Sequence, residues 1–195
     1  MPLQDRLARI LAERSARRGH FTLASGRQST LYIDARLTAM SPDGLSLIGP
    51  LAFQALVQSK WNVDAVGGLT LGADPISYAI SYASATTTTP LRAFTVRKDA
   101  KLHGTGKLIE GPFRASDRVA VVEDVITTGG SALRAVDAVR AAGGTVVGVL
   151  ALVDREEGGR EAIEEAGLPV ISLVTATQIL ALLTDESVPS SQQDS

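Results

Sequence analysis

The stretch RVAVVEDVITTGGSALRAV, residues 118–136, decides the fold. It opens as an apolar run of the kind found in strands buried on both faces, and it closes on two carboxylates, Glu123 and Asp124. It then passes through Thr127-Thr128-Gly129-Gly130-Ser131 into helical spacing over 131–142. A strand feeding a glycine turn and then a helix is the repeating unit of a parallel sheet, and the rest of the chain repeats it.

After this unit, TVVGVLALVD reads as a strand, GREAIEEAG as a helix and PVISLV as a last strand. Before it, Leu3, Leu7, Ile10 and Leu11 recur at helical spacing, a first helix that Gly19 is expected to end. STLYIDARL alternates like a strand, residues 44–59 read as a helix, and VDAVGGL reads as a short buried strand. PISYAISYASA resumes helical spacing after Pro75, and LRAFTVRK is a further strand. DAKLHGTGKLIEGPF is polar and punctuated by glycine, with too few apolar residues for core. The alternation predicts an α/β fold with a mostly parallel sheet flanked by helices. We expect one domain over 1–183, with an N-terminal helix and hood over about 1–40 and a mobile loop over about 97–112. The tail 184–195, which holds DESVPSSQQDS, reads as disordered.

Composition narrows the classes. The 195 residues are 45% apolar, enough for one sizeable core, and the net charge of −2 gives no global basic field for nucleic acid or a membrane surface. Without cysteine there are no disulfides, thiolate metal sites or thiol nucleophiles. The N-terminus has neither a signal-peptide core nor an apolar run of membrane length, so a cytoplasmic protein is expected.

In this topology the turn after Asp124 lies at the carboxyl edge of the sheet, where open α/β folds bind ligands. Gly129 and Gly130 allow a tight turn and close approach, while the helix start near Ser131 offers unpaired amides and a positive dipole end. Thr127, Thr128 and Ser131 add hydroxyls, and the whole suits a monophosphate. Glu123 and Asp124 can accept hydrogen bonds from vicinal hydroxyls and stabilise a developing cation. A ribose 5-phosphate satisfies both halves. No Gly-Lys-Ser/Thr follows at P-loop spacing, which argues against nucleoside triphosphate hydrolysis. Arg97, Lys98, Lys101 and His103 place four candidate cations in seven residues beside Gly104, Gly106 and Gly111, a set able to close over a polyanion and exclude water.

VVEDVITTGGSA resembles the phosphoribosyl pyrophosphate (PRPP) signature of the type I phosphoribosyltransferases. FTLASGRQSTLYID, GGLTLGADPIS, VRKDAKLHGTGKLIEG and LVDREEGGRE narrow the resemblance, over roughly residues 19–180, to the orotate phosphoribosyltransferase family. The resemblance implies the type I phosphoribosyltransferase fold and a Mg2+-dependent transfer of ribose 5-phosphate from PRPP to orotate, giving orotidine 5'-monophosphate and pyrophosphate in pyrimidine synthesis. It implies a homodimer whose mobile loop reaches the neighbouring site, and Mg2+ held mainly through PRPP and water with no direct protein ligand.

Residue by residue, the family pattern assigns PRPP binding to Arg97, Lys98, Lys101, His103, Leu71, Gly72 and the run Glu123, Asp124, Val125, Ile126, Thr127, Thr128, Gly129, Gly130, Ser131. Catalysis falls to Lys101, Asp124 and Glu123. Orotate binding falls to Thr127, Arg155, Tyr32 and Ile33; Arg155 offers a guanidinium fork to a carboxylate, although local sequence fits an ion pair with Glu156 or Glu157 equally well, and Ile33 is equally well explained as core. Ala24 and Gly72 stand where one branch of the family has lysines, which shifts weight to the mobile loop and to the amides of residues 69–73. The family often has a cis peptide in that loop, here near Leu69 to Leu71. Asp74 either points away from the pyrophosphate or helps hold hydrated magnesium. A phosphoribosyltransferase for another base and a non-catalytic PRPP-binding regulator are the competing readings; a regulator would ordinarily add a nucleic-acid-binding module or a basic face, and this chain shows neither.

Overall fold

In the computed structural model, which describes residues 1–22, 28–99 and 108–183, the central unit is built as its sequence suggests. Strand β6, Arg118–Ile126, runs through the turn into helix α5, Gly130–Ala141. Its alternate residues face opposite layers. Val119 and Val121 enter a core with Ala135, Val136 and Val139 of α5, while Ala120 and Val122 enter a second core on the other face. Strand β7, Thr145–Asp154, repeats the arrangement, with Val149 and Ala151 on the α5 side and Leu150 and Leu152 on the other.

The remaining elements of the sheet are β3 (Ala65–Leu69), β4 (Arg92–Val96), β5 (Ile109–Glu110) and β8 (Val170–Thr175). The order is β5-β4-β3-β6-β7-β8, all parallel except β5, which pairs antiparallel with β4. The core opposite α5 receives Leu7 from α1 (Leu3–Ile10), Ile48 and Ala52 from α3 (Pro42–Ser59), and Ile76 and Ile80 from α4 (Ala73–Ser84). On the α5 side, Ile163 of α6 (Gly159–Glu165) completes the other layer. Both faces of the sheet are therefore covered, as the near-continuous apolar strands require.

The N-terminus departs from the expectation of a helix ended by Gly19. The helix passes into a π-helical turn, Leu11–Ser15, and gives way to β1, Ala16–Thr22, paired antiparallel with β2, Gln28–Ile33. The chain leaves the helix where Ser15 is buried, its Oγ 2.8 Å from Thr38 Oγ1 and its carbonyl accepting from Asp34 N. Gly19 instead lies under the Phe21 ring, where the β1–β2 register shifts. The strand read through STLYIDARL stops at Ile33: Asp34 Oδ1 accepts from Arg36 N, and a short helix α2, Arg36–Ala39, follows. After β8 a further helix, α7 (Ala176–Leu182), was not foreseen; a capping box starts it, with Thr175 Oγ1 accepting from Gln178 N and Gln178 Oε1 accepting from Thr175 N. No described helix is long and apolar enough to cross a membrane.

Candidate active site

Strands β3, β6 and β7 are adjacent and parallel, so the segments leaving their carboxyl ends meet. They enclose a cavity of about 520 Å³ lined by residues 32–36, 69–72, 98, 123–132 and 155.

The turn between β6 and α5 is part of its lining. Gly129, at φ 79°, takes the left-handed conformation that starts α5, and its carbonyl accepts the first helical bond from Leu133 N. No side chain caps this helix and its first turn holds no acid, so its leading N–H groups and positive dipole end are left for an anion.

The acid pair stands above that turn. Glu123 is only 8% exposed, and its Oε2 has no hydrogen-bond partner among the described residues. Burial, and then the neighbouring Asp124 charge, push the Glu123 carboxyl well above the ordinary glutamate range. Asp124 accepts from its neighbour, with Val125 N 2.9 Å from Oδ1, and its carboxylate lies against Gly72: a Cβ built there would stand 2.3 Å from Asp124 Oδ2. Any side chain at 72 begins with that Cβ, so this placement of the Asp124 carboxylate depends on glycine at 72.

The loop holding Leu71 and Gly72 contains a cis peptide between Thr70 and Leu71, within the span where the family resemblance put one. Asp74 points away from the cavity. Its carboxylate accepts from Thr70 Oγ1 at 2.7 Å and Thr95 Oγ1 at 2.8 Å, and Thr95 Oγ1 lies 2.9 Å from Tyr78 Oη.

Of the four loop cations, Lys98 lines the cavity. Arg97 does not; its Nε donates to Asp99 O and its Nη1 lies 3.7 Å from Glu110 Oε1. Arg97 N donates to Leu108 O across the base of the loop, and Arg134 Nη2 donates to Lys98 O at 3.1 Å. Lys101, His103 and Ala24 lie outside the described residues, as does the tail 184–195.

On the remaining wall, Tyr32 and Ile33 both line the cavity; Tyr32 packs on Phe21 with centroids 5.5 Å apart, and Ile33 also belongs to the core. Thr127 and Arg155 line it too, but the Arg155 guanidinium already bonds Glu157, Ser29 Oγ and the Leu31 carbonyl. Among the described residues no group of three or more His, Asp or Glu could cage a metal ion. Two residues of the wall were not singled out in the sequence, Asp34 and Arg36. They form a two-bond pair, Arg36 Nε to Asp34 Oδ1 at 2.8 Å and Nη2 to Oδ2 at 2.9 Å, which raises the guanidinium's proton affinity and lowers the carboxyl's. The signal was local: an acid and a base two apart at the end of a strand.

No family model matches the chain. An orotate phosphoribosyltransferase of Aquifex aeolicus is 46% identical over 180 residues, covering 91% of this chain and 97% of that protein. The chain belongs to the orotate phosphoribosyltransferase family. A second relative of that name, from Rhodopseudomonas palustris, is 47% identical over 179 residues, covering 90% of this chain and 95% of its own. Among solved structures, Mycobacterium tuberculosis orotate phosphoribosyltransferase in complex with PRPP is 40% identical, with a TM-score of 0.74 over 91% of this chain and 99% of that one. The α/β architecture is thus that of the type I phosphoribosyltransferases, and the chain spans nearly the whole length of its orotate phosphoribosyltransferase relatives.

Proposed function

We propose that this enzyme transfers ribose 5-phosphate from PRPP to orotate in the described cavity, giving orotidine 5'-monophosphate and pyrophosphate for UMP synthesis. The observation that carries the reading is the meeting, in one cavity, of an uncapped helix start, an acid pair with an unpartnered buried oxygen, and an arginine beside an apolar wall. The 5-phosphate takes the turn from Val125 and Ile126 through Thr127, Thr128, Gly129, Gly130 and Ser131, accepting backbone N–H and hydroxyl bonds at the start of α5. The ribose hydroxyls meet Asp124 and the free Oε2 of Glu123. As the bond from the sugar carbon to the pyrophosphate oxygen breaks, the Asp124 carboxylate stabilises the oxocarbenium-like centre, and Glu123 joins it once the cation brought in with PRPP favours its charged form. Orotate's ring nitrogen attacks from the opposite face and gives up its proton to the departing pyrophosphate or to water, with Tyr32 and Ile33 as wall and Thr127 and Arg155 as polar contacts.

The leaving pyrophosphate lies along Leu71 and Gly72, and its charge is met by Lys98, Lys101, Arg97 and His103, with Lys101 the residue most directly concerned in catalysis. The donor set fits Mg2+ brought in with PRPP: Glu123 and Asp124 are neighbouring carboxylates suited to its water shell, with no cage around them. Bound, the ion neutralises diphosphate charge. A substrate so highly charged does not cross a bilayer unaided, which supports a cytoplasmic place for the reaction.

We read the active unit as a homodimer with shared sites. Lys98 lines its own cavity while Arg97 turns away from it, so Arg97 is suited to serve a second copy. Tyr78 and Tyr82, one turn apart on α4 and 53% and 85% exposed, supply apolar surface for the contact.

Loss of orotate absorbance with purified protein, PRPP and Mg2+ tests the reading, with each component omitted in turn and Lys101→Ala and Asp124→Asn beside it. Turnover should need all components and fall by about 10²-fold or more in either variant. Preference for a purine or uracil in a base-competition arm would move the assignment to another phosphoribosyltransferase, and PRPP binding without turnover would move it to a regulator.

A further inference from the structure

The end of β7 and the loop after it carry four charged residues in succession, Asp154, Arg155, Glu156 and Glu157, and each is held differently. Asp154 Oδ1 accepts from Glu156 N and its Oδ2 from Arg160 Nε, both at 2.8 Å. Glu156 Oε2 reaches the start of α7, accepting from Thr177 N at 2.8 Å and Thr177 Oγ1 at 2.6 Å. Arg155 N donates to Ile126 O at 3.0 Å, tying this loop to the end of β6. The backbone on both sides of Arg155 is therefore fixed before any side-chain contact is counted.

The guanidinium is fixed as well. Glu157 Oε1 accepts from Nε at 3.0 Å and from Nη2 at 2.6 Å, and Nη2 also donates to Ser29 Oγ and Leu31 O, each at 2.8 Å. Nη1 makes no hydrogen bond among the described residues, and Arg155 lines the cavity. An unrestrained arginine offers a two-pronged fork to a carboxylate. Here one edge of the fork is occupied from within the protein, which leaves Nη1 as the nitrogen to meet a substrate oxygen.

We propose that Glu157 is a positioning residue for the base: by holding Nε and Nη2 it aims Nη1 of Arg155 at one point of the cavity, and so favours a pyrimidine with an anionic oxygen there. The proposal rests on reading Arg155 as an orotate contact. Its physical content is pre-organisation. Arginine has high rotamer entropy, and a side chain already immobilised does not have to be ordered when the substrate binds. The carboxylate also partly neutralises a cation that is nearly buried, so the site tolerates that charge between turnovers.

The test uses full-length enzyme with Glu157→Ala, Glu157→Gln and Arg155→Ala, measuring KM for orotate, KM for PRPP, kcat and melting temperature, with uracil as a base lacking the carboxylate. Glu157→Ala should raise KM for orotate about tenfold, leave KM for PRPP near the parent's, and narrow the preference for orotate over uracil by a similar factor. Glu157→Gln, whose Oε1 can accept the same two bonds, should return KM to within about threefold of the parent. Glu157→Asp, too short to reach both nitrogens, replaces the alanine variant if that one does not fold, and should raise KM in the same way. An unchanged or lowered KM for orotate in Glu157→Ala, with Arg155→Ala still raising it, overturns the positioning role alone. An unchanged KM in Arg155→Ala overturns the reading beneath it, and the proposal with it.

Discussion

Replacing Gly72 by alanine separates the geometry of the acid pair from the stability of the fold. Gly72 has φ −63° and ψ −41°, which alanine adopts freely, so the backbone is not strained. The smaller entropy of the unfolded alanine chain favours the variant by about 0.4–1 kcal/mol. The new Cβ, however, would stand 2.3 Å from Asp124 Oδ2, 2.4 Å from its Cγ and 2.6 Å from its Oδ1. Reaching ordinary contact at 3.4 Å moves the carboxylate by about 1 Å, a shift that the end of a side chain makes at little cost in stability. For a group that stabilises a developing cation, a displacement of about 1 Å costs on the order of 10²-fold in rate, or about 2.7 kcal/mol of barrier. The assay is kcat from orotate absorbance, with melting temperature on the same preparation. We expect kcat to fall about 100-fold with the melting temperature unchanged or slightly raised. In an Asp124→Asn background the same substitution should add little, because the two changes act on one group. A Gly72→Ala enzyme with near-parental kcat would refute the reasoning, since Asp124 would then not work from the position seen beside the loop. A large fall in melting temperature would refute it differently, by showing that the backbone and not the carboxylate yields.

Glu123→Gln should stabilise the free protein as pH rises. An acid whose folded pKa is raised keeps its proton where the unfolded chain has lost it, so the parent's stability falls as pH climbs above the ordinary glutamate range. The variant's advantage in melting temperature should therefore vanish below that range, grow above it, and remain under the roughly 1–3 kcal/mol that an unsatisfied buried group costs. Asp74→Ala removes the acceptor of two hydroxyl bonds and should lower stability by about 1–3 kcal/mol, raising KM for PRPP more than KM for orotate because Thr70 belongs to the cavity wall. Mixing Arg97→Ala with Asp124→Asn protein tests shared sites: random re-pairing gives half mixed dimers with one native site each, so roughly a quarter of parental activity should return, whereas separate sites return none.

The parts of this molecule that could be read from the chain are those in which one stretch carries its own explanation. The β6 strand shows its burial in the apolar run Val119–Val122, and the turn after it offers a phosphate-type reading in its spacing of acids, threonines and glycines. Where a residue's role depends on a partner far along the chain, the reading stopped short. A pairing of Arg155 with Glu156 or Glu157 was readable locally, and Glu157 makes it, but Ser29 and Leu31, which also hold its Nη2, lie 126 and 124 residues away. The β1 strand was missed because Arg17, Arg18 and His20 continue a plausible solvent face of the first helix, and only pairing with β2 makes that segment a strand. Helix α7 is a different kind of miss: Thr175 and Gln178 carried a local capping signal, overlooked because the apolar run behind them is only a few residues long. The site lies between these cases. Its segments are individually visible, at Leu71 and Gly72, at Glu123 to Ser131 and at Arg155, but nothing local says that they meet. They meet because the strand order sets β6 between β3 and β7, so that three parallel strands deliver their carboxyl ends side by side, with β6 supplying the acids and the phosphate turn at the centre. The loop of Leu71 and Gly72 leaves one neighbour and Arg155 leaves the other, which gives the cavity two ends of different character; under the function proposed above, a sugar bound at β6 would have its leaving group on one side and the attacking base on the other.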